Sequence, residues 1–466
     1  MSALAAKPHS VAPAVSDASV RLPVLLFFGA AVFWLVNGAL LAFLSAWKLV
    51  DPGFLDGISW LTYGRLQPAA ENALIYGWAS QAGIGAGLWF LARLGRTALA
   101  GHRLLVTAAV FWNLGVVVGL CGIVAGWSTG IERMEFPGFA SAILLVAYAC
   151  IGLWTFVLLR DRSSSGLYVS QWYLLAAFLW FPWFFATAQI LLVHHPVQGS
   201  AQAPIAAWFG SNLIWLWLAP LALAGAYYVI PQEQRRTIRA YPWSLLAFWG
   251  VAVLGGWSGP QVYLLGPVPA WMVSAGVAAS ILLIIPVTLI GINTFGTIRG
   301  PVQGPVIAFV GVGLACMMGA VAQNVLAPAI TLVTQFSDYV TGQNVLVVLG
   351  FITMTLFGLL YFIVPRLTGE AFRPGATGWH FWLVTCGMAT SFLSLTVGGL
   401  IQGFALYDPG VTFMTSVELA WPFRLMSAVG CLAFFAGSLY FALSFVNLLL
   451  RKADVLPPAK KKGATV

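Results

Sequence analysis

The chain has 466 residues, of which 60% are hydrophobic and only 8% charged, and its mean hydropathy is +0.91. A soluble domain carries about 25% charged residues, so water is excluded as the main solvent of this polypeptide. The net charge of +9 does not mark a nucleic-acid binder. The basic residues form no stripe and sit in short gaps between apolar runs, where membrane topology is written.

Residues 1–22 are rich in Ala, Ser and Pro and lack the compact apolar core of a signal peptide, so they read as a disordered tail. A single membrane domain, 23–451, follows. A helix needs about 20 apolar residues to cross the hydrocarbon. Runs of that kind predict twelve spans, at 24–48, 70–95, 104–128, 137–160, 169–194, 204–230, 243–265, 269–296, 304–331, 341–365, 379–402 and 419–450. The apolar residues run continuously rather than alternately, so the fold class is all-α, a polytopic bundle and not a barrel. Residues 452–466, with Lys460, Lys461 and Lys462, read as a basic tail. With the N-terminus inside, eighteen of the 22 Lys and Arg fall in cytoplasmic segments. Lys48, Arg65 and Arg133 fall outside, and Arg424 lies within the last span. That bias places both termini in the cytoplasm.

The five cysteines, at 121, 150, 316, 386 and 431, each stand alone inside an apolar run. With no CxxC or CxxCH they imply no disulfide framework, zinc site or covalently attached haem. They read as small buried apolar side chains.

From about residue 60 the chain carries a series of ordered strings. They are RLQP at 65–68, WFGSN at 208–212, APLALAGAYYVIPQ at 219–232, GWSGPQVYLLGPVPAW at 256–271, TQFSDYVTGQNVLVVLGF at 334–351 and SFLSLTVGGLIQGF at 391–404. In content and order they resemble the catalytic subunit of the haem-copper oxidases. The nearest branch is the cbb-type (C-type) cytochrome c oxidase subunit I, with nitric oxide reductase as a sister. The resemblance implies a twelve-helix bundle in the bacterial inner membrane. It also implies two b-type haems and one copper ion held by six imidazoles, and c-type cytochrome or other membrane redox subunits as partners, with no nucleic acid.

The chain has five histidines in all: His9, His102, His194, His195 and His380. They cannot supply six buried imidazoles, the usual ligands of haem iron and copper. The resemblance assigns the haem ligand two positions after RLxP to Ala70. It assigns one copper ligand to Ser211 and the paired copper ligands after W-x-G to Gln261 and Val262. The two ligands of its GHxH motif correspond to Gln343 and Val345, and its crosslinked tyrosine to Gly255. Its ninth-span glutamate has no counterpart, since 304–331 holds no acid. No catalytic or metal-binding residue and no cofactor is therefore expected, and lipid or quinone becomes an alternative occupant of the emptied pockets.

A few polar residues remain candidates. His194 and His195 are adjacent, so on a helix they point about 100° apart and do not chelate without help. They read as interfacial side chains. Glu71 follows the Ala70 position. Asp338, in FSDY, stands where the family's chain meets haem propionates and partner subunits. Glu418 and Arg424 lie on the last span and read as facing a partner helix. His380 opens a span in GWHFWL, a string the family carries without making its His a ligand. The 21 tryptophans cluster near span ends as interfacial anchors.

The functional expectation is a cofactor-free subunit I-like membrane protein that scaffolds or docks redox subunits of a respiratory-type complex and is not catalytic by itself. Two alternatives stay open. One is an active terminal oxidase or nitric oxide reductase with atypical ligands. The other is an ion or solute conduit along Ser211, Gln261, Gln343 and Asn344.

Overall fold

The computed structural model describes residues 12–98, 101–163, 166–300 and 304–455. Within them the chain forms helices and no strand. Twelve helical runs follow one another: α1 Pro13–Val50, α2 at 63–95, α3 His102–Ala125, α4 Gly138–Arg160, α5 Val169–His194 and α6 Gly199–Gln234. Then come α7 at 241–255, α8 Ala270–Thr297, α9 Pro305–Thr334, α10 Asp338–Thr368, α11 Pro374–Tyr407 and α12 Phe413–Val455.

Ten of these runs are long and apolar enough to cross a membrane, two fewer than the sequence predicts. The exceptions are α2 and α7. Helix α2 is rich in Gly and carries Ser80 and Gln81, yet every residue from Asn72 to Ala92 is buried. Those glycines and polar residues lower its hydropathy, which its place inside the bundle, away from lipid, permits. Helix α7 is short because it stops at Gly255 and gives way to a 3₁₀ turn, Gly259–Tyr263.

Helix α1 starts at Pro13, so residues 13–22 are helical and not the tail that composition suggests. Ser16 donates to the Thr97 carbonyl at 3.1 Å, and Asp17 pairs with Arg93 at 2.6 Å. These contacts hold the polar turn against the end of α2. Residues 1–11 lie outside the described set. Helix α12 likewise continues to Val455, and the remainder of the basic tail, including its three lysines, lies outside the described residues.

The core is aromatic. Trp217 lies 3.8 Å from Phe181 between ring centres and donates to the Tyr148 hydroxyl at 2.9 Å. Helices α11 and α12 touch backbone to backbone: a Cβ at Gly387 would stand 2.7 Å from the Gly430 carbonyl. Such small-residue contacts replace the hydrophobic drive that lipid removes.

Five π-helical segments interrupt the helices: Ala73–Ala79, Ile190–His194, Leu213–Leu218, Val251–Gly255 and Leu346–Thr353. A π turn shifts the register of every later side chain and is frequent at functional sites. Here four of the five lie within ten residues of Ala70, Ser211, Gln261 or Val345.

Candidate functional site

The π segments direct attention to the space between α6, the turn after α7, α8, α9 and α10. A cavity of about 680 Å³ opens there. Ser211, Gln261, Val262 and Gln343 all line it, so four positions scattered over 133 residues of sequence meet at one place. Ala70 is buried and Val345 packs against the core; neither lines the cavity.

Amides knit the inner wall. Gln343 donates Nε2 to Asn324 Oδ1 at 2.6 Å, and Gln261 donates Nε2 to the Asn324 carbonyl at 3.2 Å. These bonds tie α10 and the turn after α7 to α9. Trp215 closes the side wall by lying on Gly255: a Cβ there would meet the Trp215 Cβ at 2.5 Å. At Gly259 a Cβ would run into the Ala207 carbonyl, with Ser211 Oγ at 2.7 Å.

The mouth is covered by a strap, residues 126–137, that joins α3 to α4. It is closed by Thr129, whose N–H donates to the Glu135 carbonyl at 3.2 Å and whose hydroxyl donates to the Met134 carbonyl at 2.7 Å. Arg133 has φ +63°, a left-handed conformation that a long side chain rarely adopts. Its side chain is 13% exposed and reaches three helices. Nε donates to Glu71 Oε1 at 3.2 Å, Nη1 to the Gly210 carbonyl at 3.2 Å and Nη2 to Asn344 Oδ1 at 2.7 Å. Asn344 in turn donates to Glu132 at 3.3 Å. Glu71 adjoins Ala70, Gly210 adjoins Ser211, and Asn344 stands between Gln343 and Val345. One guanidinium thus joins the neighbours of four positions that the resemblance gives to metal ligands.

Sequence reading singled out Glu71 and Asn344 but missed Arg133 as their organiser. The available signal was ERME at 132–135, a charged run between two apolar ones. Its last member, Glu135, is 6% exposed and accepts from Asn72 Nδ2 at 2.6 Å. Burial, and secondarily the Glu71 charge, pushes its carboxyl up from 4.5 to about 7. Between those values the folded chain holds a proton that the unfolded chain releases. Glu135 therefore supports the fold fully below about pH 4.5 and loses that contribution as pH rises through 7. Glu135→Gln should flatten this part of the stability profile, as thermal unfolding in detergent between pH 4.5 and 8 would show.

The other sequence candidates lie elsewhere. Asp338 opens α10, and Arg424 grips it with two bonds, Nε–Oδ2 2.7 Å and Nη2–Oδ1 3.2 Å. Both side chains are largely buried. Arg424 thus faces a neighbouring helix, α10, within this chain, while exposed Glu418 takes no part in the pair. The α10 terminus also favours an acid at its first position. Asp338→Asn should cost roughly 1.5–3 kcal/mol, the range for a hydrogen bond to a charged group, with no change at the cavity; thermal unfolding checks it. His194 and His195 are both exposed at the end of α5. His380 is fully buried; its Nδ1 lies 2.9 Å from the Tyr361 hydroxyl, among the rings of Phe309, Phe357 and Phe441.

A family model described as cytochrome c and quinol oxidase polypeptide I matches residues 22–433. The chain belongs to this family. A cytochrome c oxidase subunit 1 homolog of Azorhizobium caulinodans is 25% identical over 96% of this chain and 84% of its own length. A cbb3-type cytochrome c oxidase subunit of Stutzerimonas stutzeri is 26% identical over 88% and 91%. A cytochrome c oxidase subunit 1 of Rhodobacter capsulatus is 26% identical over 91% and 84%. The cytochrome c and quinol oxidase polypeptide I family and the resemblance read from the motifs agree, and the helical membrane bundle is the architecture both imply.

Haem and copper, which the resemblance implies, find no matching donor set here. The four cavity positions offer a hydroxyl, two amides and an alkyl group, whereas these metals call for imidazole. Among the described residues no three His, Cys, Asp or Glu converge to hold a metal ion.

Proposed function

We propose that the chain is a cofactor-free, subunit I-like membrane component that scaffolds redox subunits, c-type cytochromes among them, in a respiratory-type complex. The observation that carries this reading is the cavity: positions where the family's pattern calls for imidazole converge on it and carry Ser, Gln, Val and Gln. The helical bundle around them is intact, and Arg133 cross-links α2, α6 and α10. Fold retained without its donor set suits a structural partner better than a redox catalyst. Both termini lie in the cytoplasm, following the basic-residue bias, which sets the strap on the outer face, where c-type cytochromes dock.

The test is a pyridine haemochrome spectrum with copper and iron quantification on the purified full chain. The reading predicts no Soret band and no stoichiometric metal. One haem per chain would overturn it and revive the active-oxidase alternative.

A further inference from the structure

We infer that the cavity is a binding site for a small organic cation bearing N–H donors, an amine or guanidine with a compact apolar body. The inference rests on the reading that the cavity holds no metal centre, and it names the ligand class that the remodelled wall suits.

The reason lies in how the wall uses its own hydrogens. Ser211 donates to the Trp208 carbonyl at 3.0 Å, Ser258 to the Gly255 carbonyl at 2.8 Å and Ser280 to the Ser258 carbonyl at 3.4 Å. Three hydroxyls on the wall thus commit their protons to backbone and leave oxygen lone pairs over. Gln343 and Gln261 commit an N–H to Asn324. Arg133 directs its guanidinium into Glu71, Gly210 and Asn344. One acceptor on the wall has no such outlet. Gln261 is 6% exposed, and its Oε1 is buried with no hydrogen-bond partner among the described residues. A buried carbonyl left unpaired costs about 1–3 kcal/mol, so a guest that donates to it is favoured over one that does not.

Charge points the same way. Arg133 faces two carboxylates, Glu71 at 3.2 Å and Glu132 at 3.7 Å, and Glu132 is 63% exposed at the mouth. Among the described residues the entrance carries no uncommitted cation to draw an anion in, and its two carboxylates outnumber the one guanidinium they share. Ile214, Trp215, Val340 and Val347 supply an apolar wall, with Trp215 offering a ring of the kind that ammonium groups favour. A volume of about 680 Å³ falls in the usual range of small-molecule sites, about 300–1,000 Å³.

The experiment uses the detergent-solubilised full chain and three probes of similar size: 2-phenylethylamine, 2-phenylethanol and phenylacetate. Binding is read by calorimetry and by thermal shift, with haem and copper assayed on the same sample. The amine should bind saturably, the alcohol about tenfold more weakly and the anion not at all. Gln261→Met keeps the size of the side chain, removes the acceptor together with the N–H that Asn324 accepts, and should weaken the amine by about tenfold or more while leaving 2-phenylethanol less affected. Gln261→Glu keeps the acceptor, adds charge and should strengthen it. Equal binding of phenylacetate, no saturable amine binding, or an amine affinity unmoved in Gln261→Met would each overturn the inference. A metal-free sample that ignores the amine refutes the ligand class and leaves the scaffold reading standing. A stoichiometric haem refutes the reading beneath it.

Discussion

Arg133→Met should destabilise the folded chain by about 3–5 kcal/mol, the cost of removing one partner of a buried ion pair. The substitution keeps much of the side chain's length and apolar volume. It leaves Glu71, 14% exposed, without its cation, and it frees the Gly210 carbonyl and Asn344 Oδ1 together. The measurement is unfolding of the purified chain in mixed micelles, followed by circular dichroism. The double variant Glu71→Gln with Arg133→Met should recover a large part of the loss, because the stranded charge is then gone. The coupling between the two sites separates a cross-link from simple packing. If the double variant falls as far as Arg133→Met alone, the strap is a lid resting on the bundle and does not hold α2 to its neighbours. The same variant should loosen the cavity mouth, since α6 and α10 lose their shared contact there.

The bundle was legible in the sequence because its cause is written locally. Each run of about twenty apolar residues must satisfy its own backbone in lipid, and only a helix does so. The exceptions follow from the same physics. Helix α2 is buried among other helices, so its composition answers to packing, with glycines against Trp34, Phe28 and Leu221, and a hydropathy measure undercounts it. The first helical turns at residues 13–22 hang on contacts 76 and 81 residues away, Asp17 to Arg93 and Ser16 to Thr97, which no local window detects. At the site, the convergence of Ser211, Gln261, Val262 and Gln343 was readable only through the resemblance. The guanidinium that joins the neighbours of Ala70, Ser211, Gln343 and Val345 was not readable, because its three partners lie 62 to 211 residues away in the chain. Asp338 and Arg424 were noticed separately, and their pairing, across 86 residues, needed the fold.

Reinstating the tyrosine that the resemblance places at residue 255 should disrupt the fold rather than restore a site. At Gly255 even a methyl group would stand 2.5 Å from the Trp215 Cβ and 2.8 Å from its Cγ, closer than side-chain carbons approach without displacement. A phenol ring adds far more volume, and overpacking of this kind costs about 1–3 kcal/mol or more. Gly255→Tyr should therefore lower the yield of monodisperse protein and the unfolding temperature. Trp215→Ala alone should also destabilise, by roughly 3–5 kcal/mol for a buried Trp, since Trp215 is 5% exposed. Together the two changes should cost less than their sum, because the new ring occupies the space the indole leaves. A coupling of that sign, measured by unfolding of the four proteins of the cycle, would mean that Trp215 fills room where the family's pattern sets the tyrosine. Strict additivity would mean that the two side chains occupy separate spaces, and Trp215 would then be ordinary packing rather than a plug in a remodelled centre.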